Sequence, residues 1–146
     1  MKTKMIYSNY DTETRVSTTT VANNYGTFTG YATCHPDDDV SLFFGCSLAE
    51  YRANLKAFRE ERKIIRYQIK ALKEAYAMFS NAKNFNSNSN EARKVRKLIK
   101  MKENKMNEIE NAIQSLASSI RMAPDLRQAT IHTMHNIIGN KKDKVD

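Results

Sequence analysis

A stripe of apolar residues at helical spacing constrains the fold of this chain more than any other feature. It runs from Leu48 to Phe79 and recurs every three or four residues, with one gap of seven. Its members are Leu48, Tyr51, Leu55, Phe58, Ile65, Ile69, Leu72, Tyr76 and Phe79. This period is typical of an amphipathic helix, and Ser47 and Glu50 have the spacing of a capping box. The pattern predicts a helix that begins at Ser47, ends near Ser80 and is about 50 Å long.

A second apolar stripe follows a turn that is rich in asparagine. Residues 81–90 hold five Asn and two Ser, whose side chains compete with a helix for backbone hydrogen bonds. They predict a turn whose last residues, Asn88, Ser89 or Asn90, cap the next helix. The stripe of that helix carries Ala92, Val95, Leu98, Ile99, Lys102, Met106, Ile109, Ile113, Leu116 and Ile120, all apolar except Lys102. Because the turn is short, we expect the two helices to pack as an antiparallel hairpin.

The first third of the chain has the composition of β-strands. Residues 15–24 and 25–34 are dense in Thr, Val, Tyr and Phe, and Asn and Gly residues between them suit a tight hairpin turn. One face of the second strand carries Phe28, Gly30, Ala32 and Cys34. Residues 1–8 predict a third strand at the edge, where lysines oppose aggregation.

Together these patterns predict an α+β fold. A small antiparallel sheet, made of a hairpin and an edge strand, is followed by a long antiparallel helical hairpin. Pro124 and Gly139 mark the first turn and the end of a short C-terminal helix. We expect a β region over 1–46, helices over 47–139 and a flexible tail over 140–146. At 146 residues, these parts fit one folding unit.

The charge of the chain is concentrated on the predicted helices. Residues 1–46 carry a net −2, whereas the remainder carries +10. Such an excess raises the local concentration of anionic partners without specifying them. No apolar run reaches the roughly 20 residues that span a bilayer, and no secretory signal is recognised, so we expect a cytoplasmic protein without a membrane partner. In that compartment Cys34 and Cys46 are expected to be free thiols.

The residues that could carry chemistry do not form a recognisable catalytic or metal motif. Zinc could use Cys34, His35, Cys46, His132 and His135, but no closely spaced cysteine pair is present, which favours buried cysteines and surface histidines. Adjacent strand residues point to opposite faces, so Cys34 and His35 do not form a nucleophile and base pair.

The acidic segment 36–39 could bind Mg²⁺, but a solvated turn is the better interpretation. The chain has no phosphate-binding glycine loop or nucleophile elbow. The sequence therefore predicts no catalytic residues, no metal and no cofactor.

The basic residues allow three interpretations. They keep a long helix soluble by pairing with Glu50, Glu60, Glu61 and Glu74, they bind nucleic acid, or they bind a small anionic ligand. No nucleic-acid-binding signature is present. A nucleotide needs only a few arginines for phosphate, an aromatic ring for the base and an Asn for the edge of the base. The candidate ligand-binding residues are Arg52, Arg59, Phe79, Asn88, Arg93 and Arg96.

Some apolar residues lie off the predicted seam between the helices. Ile64 and Tyr67 on the first helix and Met101 on the second need a partner within the chain or in a second copy. We therefore expect a homo-oligomer.

One stretch of the chain resembles a pattern in small proteins of bacteriophages that infect Gram-positive bacteria. It spans residues 30–53 and comprises Gly30, Ala32, Cys34, Pro36, Asp37, Asp38, Gly45, Leu48, Ala49, Arg52 and Ala53. The strand and helical-hairpin plan is similar to that of the anti-Thoeris sponge proteins. The resemblance implies an oligomeric, non-enzymatic phage protein of the host cytoplasm that sequesters a nucleotide second messenger, of cyclic ADP-ribose or cyclic oligonucleotide type.

Two alternatives remain open for the function. The first is an anti-CRISPR-type inhibitor that binds a host defence effector, such as a nuclease, or its guide RNA. The second is a phage protein that binds nucleic acid or has a structural role.

Overall fold

The computed structural model describes the backbone of residues 3–33 and 42–142 and the side chains of residues 3–33 and 45–122. Three strands, β1 (Lys4–Asp11), β2 (Val16–Asn23) and β3 (Gly26–Thr33), precede two helices, α1 (Leu42–Ser80) and α2 (Asn90–Lys142). The predicted α+β class is confirmed. The chain divides into two compact units, one of Met1–Ala57 with Ser115–Asp146 and one of Phe58–Gln114.

The three strands form an antiparallel sheet in the order β1-β2-β3. The turn after β1 places Arg15 at a positive φ of 59°, and the turn after β2 places Gly26 at 139°. Asp11 Oδ1 accepts hydrogen bonds from the backbone of Glu13 and Thr14, and these bonds lower the pKa of its carboxyl group. Both predicted hairpin strands are confirmed, and the edge strand β1 extends three residues beyond its predicted end.

Small residues let α1 lie directly on one face of the sheet. Ala49 and Ala53 are fully buried, and Gly30 of β3 lies beneath them. A Cβ atom on Gly30 would overlap the Ala49 carbonyl oxygen and lie 2.5 Å from the backbone nitrogen of Ala53. β2 contributes buried Thr19 and Val21 to the same face. The predicted buried face of β3 is therefore confirmed at Gly30 and at its neighbour Ala32.

Helix α1 begins at Leu42, five residues before the predicted start, so the expected N-cap at Ser47 is wrong. Glycine is a poor helix former, and Gly45 favours a later start on local propensity alone. However, a Cβ atom on Gly45 would lie 2.5 Å from Ser17 Oγ of β2. The packing of the helix backbone on the sheet outweighs the local preference of this glycine.

Helices α1 and α2 are antiparallel within the unit Phe58–Gln114, as predicted. Ile65, Ile109 and Ile113 are buried in this unit. Cross-helix contacts join Lys102 Nζ to Gln68 Oε1 at 2.9 Å, Lys73 to Glu103 at 2.8 Å and Arg66 to Glu110 at 3.8 Å. The predicted helical hairpin is confirmed.

The end of α2 differs from the predicted separate helix. The backbone from Pro124 onward is helical, but it is assigned to α2, which continues to Lys142. A proline is tolerated inside a helix at the loss of one hydrogen bond, usually with a kink. In the described part of the chain, no helical segment is both long and apolar enough to cross a membrane.

Glu61 is buried, whereas the sequence predicts a solvated charge at this position. Its residue is only 1% exposed, and Ile65, one turn further along α1, is 2% exposed. No ion pair of the Glu61 carboxylate is found among the described residues. By contrast, Glu74 pairs with Lys70 at 4.0 Å on the solvent side, as the sequence predicts.

Several candidate chemical residues lie outside the described part. They are Cys34, His35, the acidic segment 36–39, and the side chains of His132 and His135. Cys46 is a free, half-buried thiol. Within residues 3–33 and 45–122, no three His, Cys, Asp or Glu side chains are grouped closely enough to hold a metal ion.

Ser89 is the N-cap of α2, one of the three predicted positions. Its Oγ accepts from the backbone N–H of Ala92 at 3.2 Å, and its carbonyl accepts from Arg93 at 3.0 Å. We expect Ser89→Ala to destabilise the protein by about 1 kcal/mol, since Ala92 loses its side-chain acceptor. Thermal unfolding measures the change. Ser87→Ala, in the same turn, is the control and should leave the midpoint unchanged; equal losses in both variants would contradict this role for Ser89.

Candidate functional site

The turn of the helical hairpin carries a group of aromatic side chains. Phe85 is half-buried and meets Phe79 edge to face, with ring centroids 5.3 Å apart and an interplanar angle of 90°. It also meets Tyr76 at 6.0 Å and 87°. Such T-shaped pairs contribute about 0.5–1.5 kcal/mol beyond the area that they bury. The three rings therefore close the end of the hairpin.

A guanidinium extends this group onto α2. Arg96 donates a hydrogen bond from Nη1 to the Tyr76 hydroxyl at 2.9 Å. An arginine side chain has five N–H donors, so this bond leaves others to face solvent. We call Tyr76, Phe79, Phe85 and Arg96 the tip cluster. Phe79 is 42% exposed, so part of its ring surface is open to a ligand.

Short-range hydrogen bonds hold the backbone of the turn. Ser80 Oγ bonds the Ala77 carbonyl at the end of α1, and Phe85 N–H bonds the Ala82 carbonyl at 3.1 Å. Asn88 N–H bonds Asn86 Oδ1 at 2.9 Å. This bond shows why an Asn-rich segment forms a defined turn: the amide oxygens replace backbone acceptors.

The electrostatic environment of the tip cluster is positive. Residues 76–100 include six Lys or Arg residues and a single acidic residue, Glu91. Arg93 and Lys94, near the start of α2, are both exposed. An anion near this turn meets an excess of positive charge, which increases association rates at low ionic strength.

The six predicted ligand residues do not form one site. Phe79 and Arg96 belong to the tip cluster and are connected through Phe85 and Tyr76. Asn88 and Arg93 are exposed residues at the turn and in the first turn of α2, respectively. Arg59 precedes Phe79 by 20 residues on α1, which corresponds to about 30 Å along a helix. Its side chain is therefore remote from the tip cluster.

Arg52 belongs to the other unit and has a structural contact there. Its Nη1 donates to the Tyr31 carbonyl of β3 at 2.6 Å. Lys56, one turn later, donates to the Thr29 carbonyl at 2.6 Å, and its ammonium lies 5.7 Å from the centroid of the Tyr31 ring. These contacts attach α1 to the free edge of β3. The structural role of Arg52 in these contacts accounts for its presence without a ligand.

Sequence reasoning did not select Tyr76 or Phe85 as ligand residues. The sequence places Tyr76 on the apolar stripe of α1. Phe85 is a large apolar residue among Asn and Ser residues, and its isolation was the available signal. An aromatic residue in a polar turn needs a neighbouring surface to cover it, and here Phe79 and Tyr76 provide that surface.

No protein family matches this chain, and neither a curated protein nor a solved structure is found to be similar to it.

Proposed function

We propose that this protein is a non-enzymatic binding protein that captures a small anionic nucleotide at the tip cluster. The observation that supports this proposal is a connected group in which the exposed ring of Phe79 contacts Phe85, and Phe85 contacts the tyrosine that is bonded to Arg96. A nucleobase stacks on aromatic rings, and a guanidinium donates charge-assisted hydrogen bonds to phosphate. The aromatic ring and the guanidinium are linked through the contacts of Phe85 and Tyr76.

The biological role that we propose is sequestration of a nucleotide second messenger. The resemblance of residues 30–53 to small phage proteins favours an anti-defence protein of the host cytoplasm, and binding without cleavage fits such a role. The positive charge near the turn supports an anionic ligand of the cyclic ADP-ribose or cyclic oligonucleotide class. Arg93 and Asn88, both exposed nearby in sequence, are the next residues expected to touch such a ligand.

The proposal is tested by native mass spectrometry of the protein mixed with cyclic ADP-ribose isomers and cyclic dinucleotides. Discrete nucleotide additions are expected on the wild type. Phe79→Ala and Arg96→Ala are each expected to weaken binding by about tenfold or more. The first loses base stacking of about 1–3 kcal/mol, and the second loses a hydrogen bond to a charged group of about 1.5–3 kcal/mol. Titration calorimetry gives the dissociation constants.

Arg59→Ala is the matched control, because it removes the same guanidinium from the same unit but far from the turn. It is expected to bind like the wild type, and circular dichroism must show equal helix content in all three variants. If Arg59→Ala and Arg96→Ala lose affinity equally, the ligand is not at the tip cluster. If no nucleotide of the panel is taken up, the proposed function is wrong.

A second candidate function is the binding of a host effector protein, and a different surface favours it. Tyr67 and Met78 are 74% and 79% exposed, and their separation of 11 residues places them on the same side of α1. Exposed aromatic and Met side chains are common in protein interfaces. Tyr67→Ala should then abolish capture of the effector while nucleotide binding stays unchanged.

A further inference from the structure

The outward backbone groups of the two edge strands, β1 and β3, differ in their hydrogen bonding. Along β3, Arg52 and Lys56 occupy the outward carbonyls of Tyr31 and Thr29, which blocks the pairing of another strand. Along β1, no hydrogen bond to the free edge is found among the described residues. Seven of the eight residues of β1 are exposed, including Met5, Ile6 and Tyr7 at 45%, 58% and 51%. An open edge of this length is a site for the addition of a strand.

The hydrogen-bond pattern of the sheet identifies the backbone groups on the free edge of β1. In antiparallel pairs, successive residues alternate between bonds to one neighbour and to the other. The Thr29 carbonyl points away from β2, so its cross-strand partner Thr20 bonds toward β1, to Tyr7. By the same alternation, Ser8 and Tyr10 present their N–H and C=O groups to the free edge.

The two faces of β1 follow from its cross-strand partners. Residues that pair across a sheet lie on the same face. Met5 and Ser8 pair with Val21 and Thr19, whose side chains are on the buried face. Lys4, Tyr7, Asn9 and Asp11 pair with the alternate residues of β2 and lie on the other face. The register shift between Met5 and Tyr7 leaves Ile6 as the extra residue of a bulge.

The sequence of β1 is complementary to itself about Ser8. Consider two copies related by a two-fold axis through this residue, with Ile6 as the bulge in each. The buried-face residues of one β1 strand then lie on the same side of the joint sheet as those of the other. The resulting pairs are Lys4 with the partner's Asp11, Met5 with the partner's Tyr10, Tyr7 with the partner's Asn9, and Ser8 with the partner's Ser8. Opposite charges meet at both ends, and an apolar pair lies between them, an arrangement that stabilises antiparallel strands. Other registers lose the contact between Lys4 and Asp11.

We infer that β1 pairs with β1 of a second copy of this chain to form a continuous six-stranded antiparallel sheet. Such an interface is isologous and closed. The outer edges of the extended sheet are the two β3 strands, whose carbonyls Arg52 and Lys56 already occupy. Growth therefore stops at the dimer. The inference does not depend on nucleotide binding, because it uses only β1 and its sheet neighbours.

Ser8→Pro tests the dimer, because the Ser8 N–H faces the free edge and proline removes that donor without removing a bond to β2. Ser8→Ala is the matched control, since it loses the hydroxyl that lies 3.3 Å from Thr19 Oγ1 but keeps the N–H. Sedimentation equilibrium is expected to give twice the 16.8 kDa chain mass for the wild type and Ser8→Ala. Ser8→Pro is expected to raise the dimer dissociation constant at least tenfold.

A second measurement uses the unmodified protein, so that a folding defect in Ser8→Pro does not decide the result. Amide hydrogen exchange by NMR should show protection of Ser8 and Tyr10 that increases with protein concentration, whereas Thr29 and Tyr31 should not change. Lys4→Glu, which places like charges opposite Asp11, should weaken the dimer. A wild type that stays monomeric at high micromolar concentration, or edge amides whose exchange is independent of concentration, would overturn the inference.

Discussion

Replacing Gly30 by alanine is expected to destabilise the protein by about 3 kcal/mol, because the helix on the sheet has no room for a methyl group there. The new Cβ atom would meet the backbone of α1 at Ala49 and Ala53, and a backbone atom cannot rotate away as a side chain can. The helix must move off the sheet, which opens contacts around Val21 and Ala32. Thermal unfolding should show a midpoint lower by about 10 °C.

Gly45→Ala is the matched control for this prediction. The same substitution in the same layer meets only Ser17 Oγ, the end of a side chain that can rotate. Alanine also favours the helix over glycine by about 1 kcal/mol, so a net change below about 1 kcal/mol is expected. Equal destabilisation by both substitutions would show that Gly30 is not the point of closest approach between helix and sheet.

Replacing Glu61 by leucine is expected to stabilise the protein by about 1–2 kcal/mol. Glu61 is only 1% exposed, and none of the ion pairs found among the described residues includes its carboxylate. Desolvation of such a group costs free energy that a leucine of similar size does not incur. Urea unfolding, with the midpoint and slope fitted separately, measures the gain.

Glu74→Leu is the control for Glu61→Leu, since it makes the same change on the solvent side of the same helix. Its side chain is 66% exposed, and its carboxylate lies 4.0 Å from Lys70 Nζ in an ion pair of little energetic value. A change within about 0.5 kcal/mol is expected there. If Glu61→Leu lowers stability by more than 1 kcal/mol, the buried carboxylate makes a contact that the fold requires.

The location of the tip cluster was only partly predictable. Phe79 and Arg96 were selected because their residue types suit a base and a phosphate, and they lie in one connected group. Arg52 and Arg59 are candidates on the same grounds. The distance of Arg59 from the turn already follows from its separation in sequence, whereas the contact of Arg52 with the edge of β3 depends on tertiary packing. Residue type predicts what a side chain can bind, whereas its neighbours in space determine what it binds.

The sequence by itself determined the elements that depend on neighbouring residues. Alternation specified β2 and β3, helical spacing specified α1 and the part of α2 before Pro124, and the Asn-rich turn limited the cap of α2 to three residues that include Ser89. Only the tertiary structure decided the start of α1 at Leu42 and the burial of Glu61. The local preference for helix or strand depends on a few neighbouring residues, so it can be predicted from those residues. The closeness of a helix to a sheet, or the face of a helix that another helix covers, is set by packing between segments far apart in the chain, which no local pattern records.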